Sequence, residues 1–457
     1  MKKLLVLLFT AALFVLAFTS CGFNPKTTED LMKKIDKKMD SLDSYQTDMK
    51  MNLSTEINGY QCVADMKGKG VLIHGDKGRF YYYDFAEGTT EIRDTEKNEV
   101  IESVTTKTLN AFHEGNMYVL TEQGDIEQKL YSPLTKDEYL AYLEKQESEF
   151  DIDFESCVNK SFEKNEDGSW ILKYSGYTKK TVNDIVEMFG GDDLFEEEIE
   201  DMEIVIRVNA DFTVKDMEIK MIFENEATTS EFRMSTQYSK YNEATVVTDV
   251  SLNTSDYKEV ADCRLLTEIE DMFEELEDAE NGSFELDLVQ KLKTTSPFYE
   301  STSSENDRVT YGKKDGKYFY NISATYDNGR IEISYENGKQ TITMSGVTET
   351  VDQTEKEAKA FIGGLINTAQ YEAVRVTDIS KSNDGVYTIK CNRPNENLYQ
   401  PVFSSVGVSN PTVTQTIKIT VQDGKITKIE NTVSASAYST YYGTVSFTFT
   451  STNEFTK

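Results

Sequence analysis

The strongest constraint on the fold is a repeated series of patterns, because the two halves of the chain carry similar segments in the same order. Apolar residues at helical spacing occur in residues 31–42 and again in 265–276, so each half should begin with an amphipathic helix. Alternating apolar residues typical of a strand follow, and Met49 in the first half matches Phe284 in the second. This order predicts a duplicated unit.

The correspondence continues through both halves. Residues 77–82 match residues 315–320. Further on, Thr135 and Thr354 are each followed by Glu three residues later, which is the capping box that begins a helix. The matched segments are closer together in the second half, so the first half should carry about 19 extra residues, roughly Glu87 to Lys107.

These patterns predict an α+β chain of two tandem repeats, each a curved antiparallel β-sheet, or half-barrel, wrapped around helices. Asp-Gly and Asn-Gly dipeptides between the strand patterns favour tight hairpins. Phe80 to Tyr83 place aromatic side chains on both faces of one strand, so at least one face should be covered by something else. The predicted divisions are a signal peptide (1–20), a tether (21–28), the first half-barrel domain (29–242), a linker (243–257) and the second half-barrel domain (258–457).

The N-terminal residues have the layout of an exported protein. Lys2 and Lys3 precede an apolar stretch, and small residues lead into Cys21-Gly22. This layout resembles the bacterial lipoprotein signal, whose cysteine is lipidated and becomes the first residue of the mature chain. The resemblance implies a lipid on Cys21 that anchors the protein to the cell membrane on its extracytoplasmic face. An ordinary signal peptide or an N-terminal anchor helix is the alternative.

The charge of the chain argues against one class of partner. Asp and Glu number 80 against 48 Lys and Arg, which gives a formal net charge of −32. Such a chain repels the phosphates of nucleic acid, so we expect no nucleic-acid partner. Two stretches of the second half, 397–417 and 431–453, contain no charged residue. They are either polar segments without a function or surfaces with contacts of their own.

The remaining cysteines leave two alternatives open. An even number in an exported protein permits disulfides, and pairing within each half would join Cys62 to Cys157 and Cys263 to Cys391. Four buried free thiols are the other possibility. None of them forms a CxxC pair, and the sequence contains no HExxH, GxSxG or Gly-rich phosphate loop. We therefore predict no metal site, no cofactor and no enzymatic activity.

The arrangement of helices and strands resembles the half-barrel lipoprotein carriers of the LolA/LolB and LppX/LprG type. The resemblance lies in the pattern of each half and implies a curved sheet with an apolar cavity for acyl chains. Aromatic and aliphatic residues of the strands and inserted helices are the candidate lining, and their alternative role is ordinary core. These residues are Phe80, Tyr82, Tyr142, Tyr318, Tyr320, Phe361, Ile362 and Leu365.

Two functional hypotheses follow. The first is a membrane-anchored, non-catalytic lipoprotein that binds a hydrophobic small molecule or lipid-like ligand. The second is a structural or interaction lipoprotein with solid cores and a protein partner in the cell envelope. An internal cavity would favour the first, and a continuous core with an exposed apolar patch would favour the second.

Overall fold

The chain forms two compact units, Met1–Glu259 and Val260–Lys457, and each is built around one large curved sheet. The computed structural model describes residues 26–57, 59–74, 80–97, 99–148, 159–176, 198–224, 228–247, 249–277, 279–295, 297–314, 316–326, 329–392, 394–405, 408 and 411–456. The signal peptide and Cys21 lie outside these residues. In the described part of the chain, no helix is long and apolar enough to cross a membrane.

Within its described residues, the first unit has a sheet of twelve strands, in the spatial order β12-β6-β5-β4-β3-β2-β1-β11-β10-β9-β8-β7. Helix α1 (Thr28–Asp40) precedes the sheet, and helix α2 (Lys136–Ser148) follows its sixth strand. The strands are β1 (Ser44–Ile57), β2 (Tyr60–Ile73), β3 (Tyr81–Asp94), β4 (Glu99–His113), β5 (Asn116–Gln123), β6 (Ile126–Pro133), β7 (Asn159–Lys164), β8 (Trp170–Ser175), β9 (Glu198–Val208), β10 (Val214–Glu224), β11 (Thr228–Ser239) and β12 (Lys258–Glu259). Neighbouring strands are antiparallel, except that β12 pairs with β6 in parallel.

The described part of the second unit forms a sheet of eleven strands, in the order β18-β17-β16-β15-β14-β13-β23-β22-β21-β20-β19. Its helices are α3 (Leu265–Glu277), α4 (Glu355–Ile366) and the short α5 (Gln400–Ser405). The strands are β13 (Asn281–Thr295), β14 (Phe298–Lys314), β15 (Lys317–Tyr326), β16 (Gly329–Glu336), β17 (Lys339–Met344), β18 (Val347–Asp352), β19 (Val376–Lys381), β20 (Val386–Cys391), β21 (Thr412–Gln422), β22 (Lys425–Ser439) and β23 (Gly443–Thr456).

The strand orders confirm the predicted tandem repeat. Counted along the chain, the eleven strands of the second sheet occupy the same places as β1 to β11 of the first. In both units one helix precedes the sheet and another connects the sixth strand to the seventh. The extra residues of the first unit lengthen one hairpin, because β3 and β4 have 14 and 15 residues where β15 and β16 have 10 and 8.

The inserted helices begin where the capping boxes predict. The Thr354 hydroxyl accepts a hydrogen bond from the Glu357 amide at 3.2 Å, and the Glu357 carboxylate accepts one from the Thr354 amide at 2.8 Å. The same reciprocal pair joins Thr135 and Glu138 at 3.3 and 2.9 Å. These bonds satisfy first-turn amides that no helical carbonyl can reach, so the two copies start their second helix in the same way.

Both faces of strand β3 are covered, where the aromatic run predicted cover on at least one. Tyr81 and Tyr83 lie on the outer face of the sheet, where residues 244–257 pack against them. The Tyr81 hydroxyl accepts a hydrogen bond from the Val247 amide at 3.2 Å. The segment predicted as a linker therefore lies against the first sheet and continues into β12, which adds to the edge of that sheet.

The described cysteines do not form disulfides. Cys263 and Cys391 are buried, and Cys62 is partly exposed. Burial raises the pKa of the Cys391 thiol to about 12. In the second unit, the structure therefore has two thiols and not the Cys263–Cys391 disulfide. Cys157 lies outside the described residues.

We expect the second unit to fold alone, because residues 260–457 contain their own sheet and helices. A protein of this range should give one cooperative thermal transition, measured by circular dichroism. An unfolded chain under conditions where the full-length protein is folded would contradict the division into two units.

Candidate functional site

The residues predicted to line a ligand cavity in the first unit belong to a packed aromatic cluster. Phe80 and Tyr82 are buried on the inner face of the sheet, which is the face that α2 covers. Tyr139 of α2 is fully buried between them, with ring centroids 6.4 Å from Phe80 and 5.5 Å from Tyr82. Its ring also stacks on Phe112 at 4.9 Å, and Tyr142 lies half-buried beside it at 6.0 Å.

Hydrogen bonding completes the Tyr139 site. Its hydroxyl donates to the Asn110 side-chain oxygen at 3.1 Å, so the buried polar atom is satisfied. Burial raises the pKa values of Tyr82 and Tyr139 well above the ordinary range. Both residues are therefore neutral, and their contacts are those of ordinary core.

The strand residues predicted to line a ligand cavity in the second unit also belong to its packed interior. Tyr318 and Tyr320 are buried on the inner face. The Tyr320 hydroxyl accepts a hydrogen bond from the Gln340 amide group at 2.6 Å and donates to the Gln353 side-chain oxygen at 3.0 Å. Tyr318 lies 6.3 Å from the ring of Tyr335. These contacts join the two tyrosines to neighbouring side chains of the same unit.

Helix α4 turns a different face to the sheet from the one predicted. It buries Ala358, Ile362 and Ile366, which follow one another at four-residue spacing. Phe361 does not point into the interior: 37% of it is exposed, and its ring lies at the rim, 5.7 Å from Tyr320. Leu365 is half-buried on the same flank. Of the three predicted inward residues, only Ile362 lies fully in the core.

Sequence patterns did not reveal a buried carboxyl in the second sheet. Asp307 of β14 is 3% exposed, and its Oδ1 has no hydrogen-bond partner in the described part of the chain. Burial, with a smaller contribution from Glu305, raises the pKa of Asp307 to about 7. The native state therefore keeps a proton on this group that the unfolded chain loses near pH 4.

This carboxyl should make the second unit less stable as the pH rises. Because the folded pKa is raised, the stabilisation is full below the unfolded pKa and is lost as the pH rises from about 4 through about 7. Asp307→Asn should flatten this dependence, while the exposed Asp287→Asn should retain it. Urea unfolding at several pH values measures both, and an unchanged slope in Asp307→Asn would contradict the assignment.

An exposed aromatic surface lies at one end of the second sheet. The hairpins β13–β14 and β22–β23 are neighbours there, because Thr294 pairs with Val445. The Thr295 amide donates to the Tyr442 carbonyl at 3.2 Å, and the Thr444 amide donates to the Thr295 hydroxyl at 2.8 Å. These bonds hold the two hairpin ends side by side.

Five aromatic side chains project from these two hairpin ends, and we call them the tip patch. Their exposed fractions are 69% for Phe298, 53% for Tyr299, 77% for Tyr438, 83% for Tyr441 and 38% for Tyr442. Five large aromatic side chains exposed on two neighbouring hairpin ends are more than the single scattered ones that protein surfaces normally show. The Ser439 hydroxyl accepts hydrogen bonds from the amides of Tyr441 and Tyr442 at 3.3 and 3.4 Å, so the longer loop has a defined turn.

The tip patch carries almost no charge. No charged residue occurs in 431–453, and the patch is flanked by Lys293 and Glu300, whose charged atoms lie 3.9 Å apart. The Lys293 ammonium is also 5.4 Å from the Phe298 ring centroid. The equivalent hairpin of the first unit has the sequence Glu-Asn-Glu-Ala-Thr at 224–228. The two copies thus share this hairpin but not its surface chemistry.

The described residues include no group of three or more His, Cys, Asp or Glu side chains arranged to hold a metal ion. This finding concerns only the described part of the chain.

Comparisons with known proteins identify no family. No protein-family model and no curated protein matches the sequence. A structural comparison with intact Ap-TbpB, which has an N lobe and a C lobe, covers 91% of this chain and 78% of that chain. The identity is 7% and the TM-score is 0.14. A mutant of Transferrin Binding Protein B from Haemophilus parasuis gives 8% identity over 91% and 76% of the chains, with a TM-score of 0.16. A putative AttH from Nitrosomonas europaea is 7% identical to this chain, with 89% of this chain and 92% of that chain covered and a TM-score of 0.13. Similarity this low supports no conclusion on fold or function.

Proposed function

We propose that this chain is a lipid-anchored extracytoplasmic protein whose second unit binds a protein partner through the tip patch. One observation carries the proposal: a strongly acidic chain displays five exposed, uncharged aromatic residues on two hairpins that hydrogen-bond to each other. The proposed activity is binding, without catalysis and without a cofactor. The partner is a protein of the cell envelope.

The composition of the tip patch suits recognition of a protein. Tyrosine offers a large apolar ring and a polar hydroxyl, and it loses little conformational entropy when it becomes fixed in an interface. The loop Tyr438 to Thr444 also contains Ser, Thr and Gly, the residue types that supply adaptable hydrogen bonds around aromatic anchors. Interface cores are enriched in aromatic residues and depleted of charge, as is this patch.

The lack of charge has a further consequence for binding. A charged surface must lose its hydration when it enters an interface, and an unpaired charge makes that costly. The tip patch avoids this cost, and it brings no carboxylate into direct contact with another acidic protein.

The membrane location rests on Cys21 and its resemblance to lipoprotein signals. With residues 21–27 as the only segment before α1, the first unit would stay close to the bilayer. A chain of seven residues spans at most about 25 Å when fully extended. The anchored chain would therefore meet its partner in the cell envelope.

A carrier of acyl chains, as the half-barrel resemblance implies, is supported less well. It needs space on the inner faces of the sheets. Yet Phe80, Tyr82, Tyr318 and Tyr320 pack against neighbouring rings and are buried by the protein itself. The exposed aromatic surface lies instead at the hairpin ends.

The proposal is tested with tip variants in cells that make the anchored protein. Tyr441→Ser combined with Tyr442→Ser should lower partner affinity by about 30-fold or more, because a single aromatic anchor contributes about 2 kcal/mol or more. Quantitative co-isolation after mild crosslinking reports the bound fraction. Tyr60→Ser, at an exposed tyrosine of the first unit, is the matched control. Equal co-isolation by the wild type, the control and the double variant would overturn the proposal.

A further inference from the structure

Strand β18 forms an open edge of the second sheet. Among the described residues it pairs with β17 alone, and all six of its residues are exposed. Two of them are apolar: Val347 is 72% exposed and Val351 is 43% exposed. The strand contains no proline, and its pairing with β17 has no bulge. It is therefore a regular strand whose free side can accept another strand.

The other three sheet edges differ from this one. In the first sheet, β12 pairs with β6, and the Tyr131 hydroxyl donates to the Glu259 carboxylate at 2.8 Å. At the opposite edge, Lys160 of β7 forms an ion pair with Glu29 of α1 at 3.1 Å. In the second sheet, β19 contains a bulge. Added segments, charges and bulges are the usual means of blocking an edge, and β18 has no added segment and no bulge in the described part of the chain.

The free side of β18 presents a defined set of backbone groups. The Gln353 amide donates to the Gly338 carbonyl at 3.0 Å, so the backbone of residue 353 faces β17. Successive residues of a strand direct their amides and carbonyls to alternate sides. The backbone groups of Thr348, Thr350 and Asp352 therefore face away from β17, toward the open edge.

One face of this edge continues the inner face of the sheet and is apolar except at one position. Val347 lies opposite Met344 of β17, and both side chains are exposed. Glu349 lies opposite Ile342, which is opposite Ile333 of β16. Because directly opposite residues share a face, the Glu349 carboxylate lies at the end of an apolar row.

The charged residues of β17 and β18 leave one acid without a basic partner. Lys339 and Asp352 form an ion pair at 3.0 Å. The third charged residue of the two strands is Glu349, and no Lys or Arg nitrogen of the described chain lies within 4.0 Å of its carboxylate. An opposite charge across a ladder is stabilising, and a like charge is destabilising. The edge therefore favours an incoming strand with Lys or Arg at this position.

A second copy of this chain fits the edge poorly. Two copies paired through β18 would bring the Glu349 and Asp352 carboxylates of both into one short ladder. Each copy also carries a formal net charge of −32. Repulsion between like charges disfavours this self-pairing, so the charges favour a basic segment of another protein.

We propose that β18 binds an extended, basic segment of a partner protein by strand addition. The segment pairs in the antiparallel direction with the backbone groups of Thr348, Thr350 and Asp352. It places apolar side chains beside Val347 and Val351, and a Lys or Arg opposite Glu349. The tip patch lies on the hairpin ends of β13–β14 and β22–β23, so this second surface does not depend on it.

Fluorescence anisotropy with the labelled peptide Lys-Val-Thr-Lys-Thr-Val tests the proposal on the chain from residue 21 onward, carrying Cys21→Ala. In antiparallel pairing the two valines lie opposite Val351 and Val347, and the central lysine lies opposite Glu349. One peptide should bind per chain, and added salt should weaken binding. The control peptide Glu-Val-Thr-Glu-Thr-Val should bind at least about tenfold less tightly, because it places like charges across the ladder.

Two variants of the edge separate strand addition from other modes of binding. Thr350→Pro removes an amide that faces the open edge and leaves the bonds to β17 in place, so it should weaken binding by at least about tenfold without unfolding the chain. Its matched control, Thr350→Ser, keeps the amide and should bind within about twofold of the wild type. Glu349→Lys should reverse the preference, so that the glutamate peptide binds more tightly than the lysine peptide.

Four results would overturn the proposal. The wild type would not bind the lysine peptide, or it would bind both peptides equally. Thr350→Pro would bind the lysine peptide as the wild type does. Sedimentation would show self-association that Thr350→Pro abolishes, in which case the occupant of the edge would be a second copy of this chain.

Discussion

Replacing Tyr139 by alanine is expected to destabilise the first unit by about 3–5 kcal/mol, the cost typical of removing a large buried aromatic ring. The ring is fully buried and contacts Phe80, Tyr82 and Phe112, so its removal opens a void that its rigid neighbours cannot fill. The variant also leaves Asn110 without its hydroxyl donor. Urea unfolding monitored by circular dichroism measures the loss.

Tyr142→Ala is the matched control for this substitution. Tyr142 lies one turn further along α2 and is only half-buried, so its removal should cost clearly less. Two results together would contradict the solid core. Tyr139→Ala would lower the free energy of unfolding by less than about 1 kcal/mol, and the wild type would bind a fluorescent fatty acid. They would favour the lipid-carrier hypothesis instead.

Replacing Cys21 by alanine is expected to remove the protein from the membrane completely. Lipoprotein cysteines carry at least two acyl chains, and two chains give stable anchoring where one gives only marginal binding. Without the thiol the chain should be retained unprocessed or released into the medium. Fractionation and metabolic labelling with a fatty-acid probe measure the outcome.

Cys62→Ala serves as the control, because Cys62 lies in strand β2 and outside the signal. It should label and fractionate as the wild type does. Labelling of Cys21→Ala at the wild-type level would show that the lipid is attached elsewhere or that the leader acts as an anchor helix.

The order of elements was predictable from the sequence, but their exact register was not. Matching Met49 to Phe284 places the second strand pattern 235 residues after the first. Which residues lie opposite each other, such as Asp48 and Lys69 or Glu285 and Arg308, is seen only in the structure. A shift of two residues keeps every side chain on its original face, so alternation alone cannot detect it.

Helical periodicity has the same limit, and this explains why the buried face of α4 differs from the predicted one. Residues 361, 362 and 365 all fall within one broad apolar stripe, but the position of the helix over the sheet decides which of them becomes buried. The sheet contacts the face of α4 that carries Ala358 and Ile362, so Phe361 lies at the rim. Such an orientation depends on contacts between elements that are distant in sequence.

The tip patch shows what composition can and cannot reveal. The absence of charge in 431–453 is visible in the sequence. That the hairpin carrying Phe298 lies beside the loop carrying Tyr442 is not visible, because it depends on the pairing of the second unit's first strand with its last. The outer-face segment 244–257 is similar: it reads as a linker in the sequence, but its apolar residues pack on the first sheet.

Site-specific photocrosslinking in living cells tests the central claim most directly. A photoreactive phenylalanine analogue is placed at Tyr441, and at Tyr60 of the first unit as the exposed control. We predict one discrete crosslinked protein from position 441 that is absent from position 60 and disappears when Phe298→Ser is added. Crosslinking at position 441 that does not exceed the level at position 60 would contradict partner binding by the tip patch.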